Sequence, residues 1–312
     1  MNDFLKPEVI SSATVGMLER ELTLGRLIWT NPGLDFTGAK NDTVSIRIPA
    51  RTAAREFAWR GATADRGDIV LDDLAEDSIS VTLNRDIYNA VPVTDEELTL
   101  DIENFGARVL DPQVRAIATY LDSAVADLIE DADNYTADNT VTWDPTDTYA
   151  SVLAARKALN RNHVPAGGRY LLVGSDVEEQ LLLDNRLLSV AESGSDGALR
   201  DATVGRLAGF TVVTSTEIDP GSAYAFVPSA FIMVTRTPVI PAGVAFGAAA
   251  SHAGYAMRWV RDYDANKLRD RSVVNTFMGT QAVLDQPTPG DVEGAKVMKR
   301  AVKLTPDADP EA

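Results

Sequence analysis

The sequence predicts an α+β fold, and three observations carry that expectation. Two separated runs alternate apolar and polar residues at a period of two, a long amphipathic helical stretch follows them, and short strands then interleave with helices. The chain has 312 residues and 45% apolar composition, enough to bury the core of one large or two modest domains.

Residues 1–42 hold one short helix, expected over 11–24 and followed by the punctuating Asn31, Pro32 and Gly33, so this segment is an arm. Val44, Ile46 and Ile48 alternate with Ser45 and Arg47, and Ile79, Val81 and Leu83 alternate with Ser80, Thr82 and Asn84, which predicts the two strands of a long hairpin. Between them lie charged and small side chains with turn sites at Gly61 and Gly67. A two-stranded ribbon with so extended a tip needs something to lie on. Thr94 and Glu97 have capping-box spacing, in which each side chain satisfies a free backbone N–H at a helix start, and Asp95 and Glu96 suit the helix dipole. Leu98, Ile102, Phe105 and Val109 form an apolar stripe, Pro112 bends or restarts the helix, and Val114, Ile117, Leu121, Val125 and Leu128 continue it. Unbroken over 98–131, this spine is about 50 Å long. Downstream, helices are expected over 149–162 and 176–183, the second with Ser175 and Glu178 at capping-box spacing. Strands are expected over 169–174, 210–215, 223–227, 231–235, 255–262 and 272–277, and 286–312, rich in Pro, Asp and Lys, reads as a flexible tail.

Composition argues against several function classes. With no cysteine there are no disulfides or thiolate chemistry, and two histidines, His163 and His252, leave little for metal or general-base sites. No run of about 18 apolar residues spans a bilayer, and the opening MNDFLKPEVISS lacks the regions of a secretory signal, so a soluble chain made inside the cell is expected. Gly167 and Gly168 are not followed by the G-K-[ST] of a phosphate loop, and no G-x-S-x-G elbow is present. Asp131, Asp133 and Asp138 hint at a calcium loop, but Thr136 and Thr142 stand where it requires Gly and Glu. No catalytic residue, cofactor or metal is expected. The net charge of −17 sits in one block: residues 61–150 hold 4 basic against 21 acidic groups, whereas 1–60 hold 8 against 7 and 151–312 hold 17 against 18. Such a block repels nucleic acid, and it is either a solvated surface or one faced by a partner's cations.

The run Gly205-Arg-Leu-Ala-Gly-Phe-Thr-Val-Val-Thr-Ser resembles a glycine-bearing turn and strand of phage coat proteins, and Tyr255-Ala-Met-Arg-Trp-Val-Arg-Asp-Tyr-Asp resembles their late strand. With the order arm, hairpin, spine helix and α/β domain, the chain resembles, over nearly its whole length, the HK97-type capsid fold of tailed-bacteriophage major capsid proteins. The resemblance implies an N-terminal arm (1–42), an extended loop (43–93), a peripheral domain with the spine helix (94–147 and 251–285) and an axial domain (148–250), ahead of the C-terminal tail (286–312). It implies a coat protein, not an enzyme, that self-assembles into the pentamers and hexamers of an icosahedral head around double-stranded DNA without sequence-specific binding. Assembly in the host cytoplasm, a final place in the virion capsid, and no membrane follow from it. The short segments before the hairpin and within the axial region leave no room for an internal scaffold or an added domain, which implies a separate scaffolding protein, alongside a portal and, in some heads, a decoration protein. Some relatives crosslink through a lysine of the extended loop; residues 41–93 contain none, so no such bond is expected. An encapsulin, a bacterial cargo compartment of the same fold, is the alternative, and DNA or an enzyme inside the particle distinguishes the two.

Arg47, Arg51, Arg55 and Arg60 precede Asp65, Asp68, Asp72, Asp73, Glu76 and Asp77 in the hairpin. These pair within one hairpin as exposed bridges of about 0–1 kcal/mol each, or the arginines reach acids on a neighbouring subunit, where Asp101, Glu103 and Asp111 are available. Head-to-tail interfaces need such complementary surfaces, which favours the second reading. Trp29, Phe57 and Trp59 are apolar anchors on neighbours, or ordinary intrachain packing. The cluster Arg258, Arg261, Asp262, Asp264, Lys267, Arg269, Asp270 and Arg271 alternates in sign too closely for a nucleic-acid patch and reads as a mixed-charge turn between paired strands.

Overall fold

The structure, a computed structural model, describes residues 7–30, 43–48, 71, 77–94, 106–184, 205–244, 246–252, 254–264, 267, 269–285 and 296–306. Their elements run in the order α1 (Pro7–Glu21), β1 (Trp29–Thr30), β2 (Thr43–Ile48), β3 (Asp77–Thr82), β4 (Arg85–Thr94), α2 (Asp111–Glu130), β5 (Thr140–Trp143), α3 (Thr148–Arg161), β6 (Arg169–Val173), α4 (Ser175–Leu183), β7 (Arg206–Leu207), β8 (Phe210–Thr214), β9 (Ala223–Phe226), β10 (Phe231–Arg236), β11 (Phe246–His252), β12 (Tyr255–Asp264), β13 (Arg269–Ala282) and β14 (Ala301–Pro306). The expected α+β class holds.

The predicted hairpin forms as β2–β3, with Val44 opposite Val81 and Ile46 opposite Ile79. The period-two pattern puts Ile46, Ile79 and Val81 on one face, which packs on Ile232 and Val234 of β10 and on Val283, so the ribbon does lie on something. The first sheet runs β1-β10-β13-β12-β11, with β4 also on β13. Strand β4 was not anticipated. Its Pro92 argues against a strand, yet β4 pairs only with β13 among the described residues, and an edge strand tolerates a residue without an N–H. Thr94 closes β4, while residues 95–105, the rest of the expected capping box and first stripe, lie outside the described residues.

Helix α2 begins after a π-turn at Gly106–Leu110, with Pro112 in its first turn, so the proline restarts the helix as its missing N–H and fixed φ favour. The described helix is 20 residues, about 30 Å. Its buried stripe Val114, Ile117, Leu121, Val125 and Ile129 shares one core with α1, the inner face of the first sheet (Met257, Trp259, Val274) and one face of the second sheet (Leu172, Tyr224, Phe226). Polar groups fix both ends. Gln113 donates to the carbonyls of Ser272 (2.9 Å) and Asn89 (3.1 Å) and accepts from the Ser272 hydroxyl, which itself accepts from the Trp259 indole. At the other end Glu130 accepts from the Asp219 N–H at 2.7 Å.

The second sheet has the order β5-β14-β9-β6-β8-β7. Alternate residues face α2 on one side and α3 with α4 on the other, where Leu171, Val173, Phe210, Val302 and Leu304 meet Val152, Leu159, Val177 and Leu181. The β7–β8 turn is the glycine-bearing motif read from the sequence: Ala208 (φ 48°) and Gly209 (φ 87°) are both left-handed, as a tight two-residue hairpin requires.

Two expectations are corrected. Residues 301–306 are not a flexible tail but an inner strand of the second sheet, β14, held between β5 and β9. A short strand with only Val302 and Leu304 to mark it disappears in a Pro-, Asp- and Lys-rich window. Ser175 and Glu178 form no capping box either: Gly174 occupies the cap position, the Pro220 carbonyl accepts from the Asp176 N–H, and Glu178 accepts from the Thr214 hydroxyl at 2.7 Å. The sheet also crosses the segment boundaries expected from the sequence, because β5, β6 to β9 and β14 share it, while β10 joins the first sheet.

Candidate inter-subunit surface

The sequence placed the interacting residues on the hairpin. Its base stands on β10 and β13, where Gly279 approaches so closely that a Cβ would lie 2.4 Å from the Thr82 carbonyl oxygen. Arg47 sits in β2 opposite Ser78, and Asp77 opposite Ile48. Arg51, Arg55, Phe57, Trp59, Arg60, Asp65, Asp68, Asp72, Asp73, Glu76, Asp101 and Glu103 lie outside the described residues. Asp111 is the first residue of α2. Trp29, half-buried, packs against the apolar cluster beneath the hairpin, so it has intrachain packing of its own.

The mixed-charge cluster forms as expected across the β12–β13 hairpin. Arg261 binds Asp270 and Arg271 binds Asp262 through two guanidinium nitrogens each, so the cations are consumed by carboxylates of the same ribbon. Asp262 and the Asp264 charge hold the Arg271 guanidinium above its ordinary value. Burial lowers that of Arg258, which donates to Asn275 (2.9 Å) and to the Val239 carbonyl.

Residues that sequence reasoning missed lie on the outer face of the first sheet. Ile87 and Val93 of β4 are buried, whereas Tyr88 (69% exposed), Ala90 and Pro92 point outward. On the same face, the segment carrying Val239 (88% exposed) and Ile240 folds over Gly247 and Val260. The alternation of Ile87, Val91 and Val93 was the available signal, masked by Pro92 and by an unbroken mix of small residues.

Asp122, on the buried side of α2, accepts from the backbone N–H groups of Thr23 (2.7 Å) and Gly25 (2.9 Å) and so ties the end of the arm helix to the spine. Burial raises its carboxyl above the usual range despite these hydrogen bonds. Tyr255, which donates to the Gly25 carbonyl beside it, is pushed up to about 12, chiefly by burial. Among the described residues no group of three or more His, Cys, Asp or Glu is placed to hold a metal ion, and Asp131 accepts from the Asp133 N–H to close a short turn. No helix of the described residues is long and apolar enough to cross a membrane.

A model of the phage capsid protein family matches residues 82–276, which contain β4, α2 and most of both sheets. No curated protein sequence matches the chain. Among solved structures, the fold is shared with that of Mycobacterium phage Che8 (18% identity, 89% of this chain and 95% of that one, TM-score 0.59). It is likewise shared with the mature capsid of bacteriophage PhiM1 (13%, 87% and 84%, 0.58) and with Microbacterium phage Oxtober96 (16%, 92% and 91%, 0.57). A spine helix between two sheets, with a separate two-stranded hairpin, is thus the HK97-type architecture of shell subunits. The chain belongs to the phage capsid protein family: it is a tailed-phage major capsid protein, and copies of it build the shell of the virion.

Proposed function

We propose that the subunits join as pentamers and hexamers of an icosahedral head around double-stranded DNA, through noncovalent contacts made by the extended loop of residues 43–93 on neighbouring subunits. The observation that carries this reading is the segregation of Arg47, Arg51, Arg55 and Arg60 from Asp65, Asp68, Asp72, Asp73 and Glu76, in a hairpin whose base rests on its own chain through Ile46, Ile79 and Val81. Separated charges of opposite sign suit a head-to-tail ring, where one subunit's cations face the next one's acids, with Asp101 and Glu103 as further acceptors. Phe57, Trp59 and the exposed part of Trp29 supply apolar anchors. The role is structural rather than catalytic. The region built on the first sheet and that built on the second divide the contacts around the local symmetry axes. Assembly proceeds in the host cytoplasm with a separate scaffolding protein and a portal, and with a decoration protein where one is present. The acidic balance of the chain suits a wall that encloses DNA without gripping it.

Reversing Arg55 and Arg60 to Glu tests the reading. The variant should fold with an unchanged circular-dichroism spectrum and fail to give fast-sedimenting shells visible by electron microscopy, whereas normal shells from it would overturn the charge-pairing scheme.

A further inference from the structure

The second sheet is completed between β5 and β9 by residues far along the chain. Strand β5 pairs with β14 alone among the described residues, in parallel from Lys303 opposite Thr140 to Pro306 opposite Trp143. On its other side β14 pairs antiparallel with β9, from Ala301 opposite Phe226 to Leu304 opposite Ala223. Without β14, the edges of β5 and β9 present unpaired N–H and C=O groups, a template for pairing with any passing strand. The slot is shaped for one occupant. Val302 and Leu304, both fully buried, join Trp143, Val152 and Leu159, while Lys303 on the opposite face lies 5.8 Å from the centre of the Tyr224 ring.

The entrance to the slot is built from both sheets. Asp285, just past the end of β13, exchanges two backbone hydrogen bonds with Val297 (2.9 and 3.0 Å) and binds the Arg300 guanidinium at 2.6 Å. Arg300 also donates to the Ser229 carbonyl, and its own carbonyl accepts from the Val227 N–H. Asn139, beside β5, donates to the Met298 carbonyl at 3.1 Å. These groups fix the register of the strand.

We propose that the gap between β5 and β9 is a strand-acceptor site for residues 301–306, and that filling it is the step that makes the subunit competent to join a shell. The inference rests on the shell-building reading for its second half only. The first sheet, none of whose described strands pairs with β14, forms without it and presents Asp285; Arg300 seats against it, and β14 then completes the second sheet and the core that Ala301 and Met298 share with α2. Because the slot is defined by backbone pairing and two apolar side chains, it takes the same segment supplied as a separate peptide.

The test uses the full chain carrying Leu304→Asp, which puts a carboxylate into the layer beside Trp143, and a labelled peptide of residues 296–306 with the unaltered sequence. Amide exchange at 140–143 should rise by about 100-fold or more while that at 273–278 stays within about threefold, because stability is lost locally. Shells should be absent by sedimentation and electron microscopy, and the peptide should bind, restore protection at 140–143 and restore shells. Shells at unaltered yield from the unrescued variant, or bound peptide that restores protection without shells, would overturn the gating step. Loss of protection at 273–278 together with failure of the peptide to bind would overturn the acceptor site. If the unaltered chain gives no shells in parallel, the shell reading fails, while exchange and peptide capture still decide the slot.

Discussion

The two sheets are of the same size and share a core, yet local hairpins build much more of the first than of the second. In the first sheet β11, β12 and β13 follow one another and pair antiparallel with neighbours in sequence, as Asp262 opposite Arg271 illustrates. In the second, only β7 and β8 are joined by a tight turn, and the inner strand β14 takes Thr140 and Phe226 as partners. Closing long loops costs more chain entropy than closing short ones and delays the contacts that repay it. The comparison teaches that the β11–β13 meander organises itself locally, whereas β1 and β4 of the same sheet and β14 of the second depend on distant segments meeting.

The largest expected effect tests whether the halves are energetically one body. Phe231 of β10 meets Phe226 of β9 edge to face at 5.6 Å, and both are fully buried. Phe231→Ala should cost about 3–5 kcal/mol in urea denaturation, with amide protection of both sheets falling together; softening of one sheet alone would break the picture of a shared core.

A smaller effect is expected where the arm helix meets the spine. Asp122→Ala removes the acceptor of two backbone N–H groups and should cost about 1–3 kcal/mol. The pH dependence follows from the upward shift of this buried carboxyl. The folded chain holds the proton to higher pH than the unfolded chain, so the group's stabilising contribution is fully present below the ordinary aspartate range and is lost as pH rises through the raised value. Asp122→Asn keeps a carbonyl acceptor and has no proton to lose. Its urea midpoint should therefore gain on the unaltered protein as pH rises across that window, and a gap that stays flat would contradict the assignment.

The smallest effects sharpen the contrast between local and long-range ties. Double-mutant cycles on Asp262 and Arg271, an exposed pair within one hairpin, should give a coupling close to nothing, because solvent screens it. The half-buried Asp285 and Arg300, which join the two sheets, should give more, within about 0.5–3 kcal/mol. Equal couplings would remove the distinction.

Local features were legible in the sequence for physical reasons. The alternation of Val44 to Ile48 and Ile79 to Val81 specified a half-buried ribbon, the spacing from Val114 to Leu128 a helix with one apolar stripe, and Pro112 its restart. The close alternation of sign around Arg261 and Asp270 pointed to pairing within a hairpin. Strands β4, β5, β11 and β14 were not legible. Their segments carry a proline, few apolar residues or small side chains, so nothing local favours an extended conformation until a partner strand accepts their hydrogen bonds. Near the candidate surface, the hairpin strands were legible from their alternation, whereas the outward Tyr88, Ala90 and Pro92 depend on β4 being a strand at all.

The sequence by itself determined the α+β class, the hairpin, the spine and the concentration of acidic charge, because period and composition act over neighbouring residues. Only the tertiary structure decided that residues 301–306 complete a sheet begun at Thr140, that Asp122 fastens the arm to the spine, and that β10 lies in the first sheet. Those choices depend on which distant backbone groups find each other once the cores of α2 and the two sheets have closed, and no local pattern encodes them.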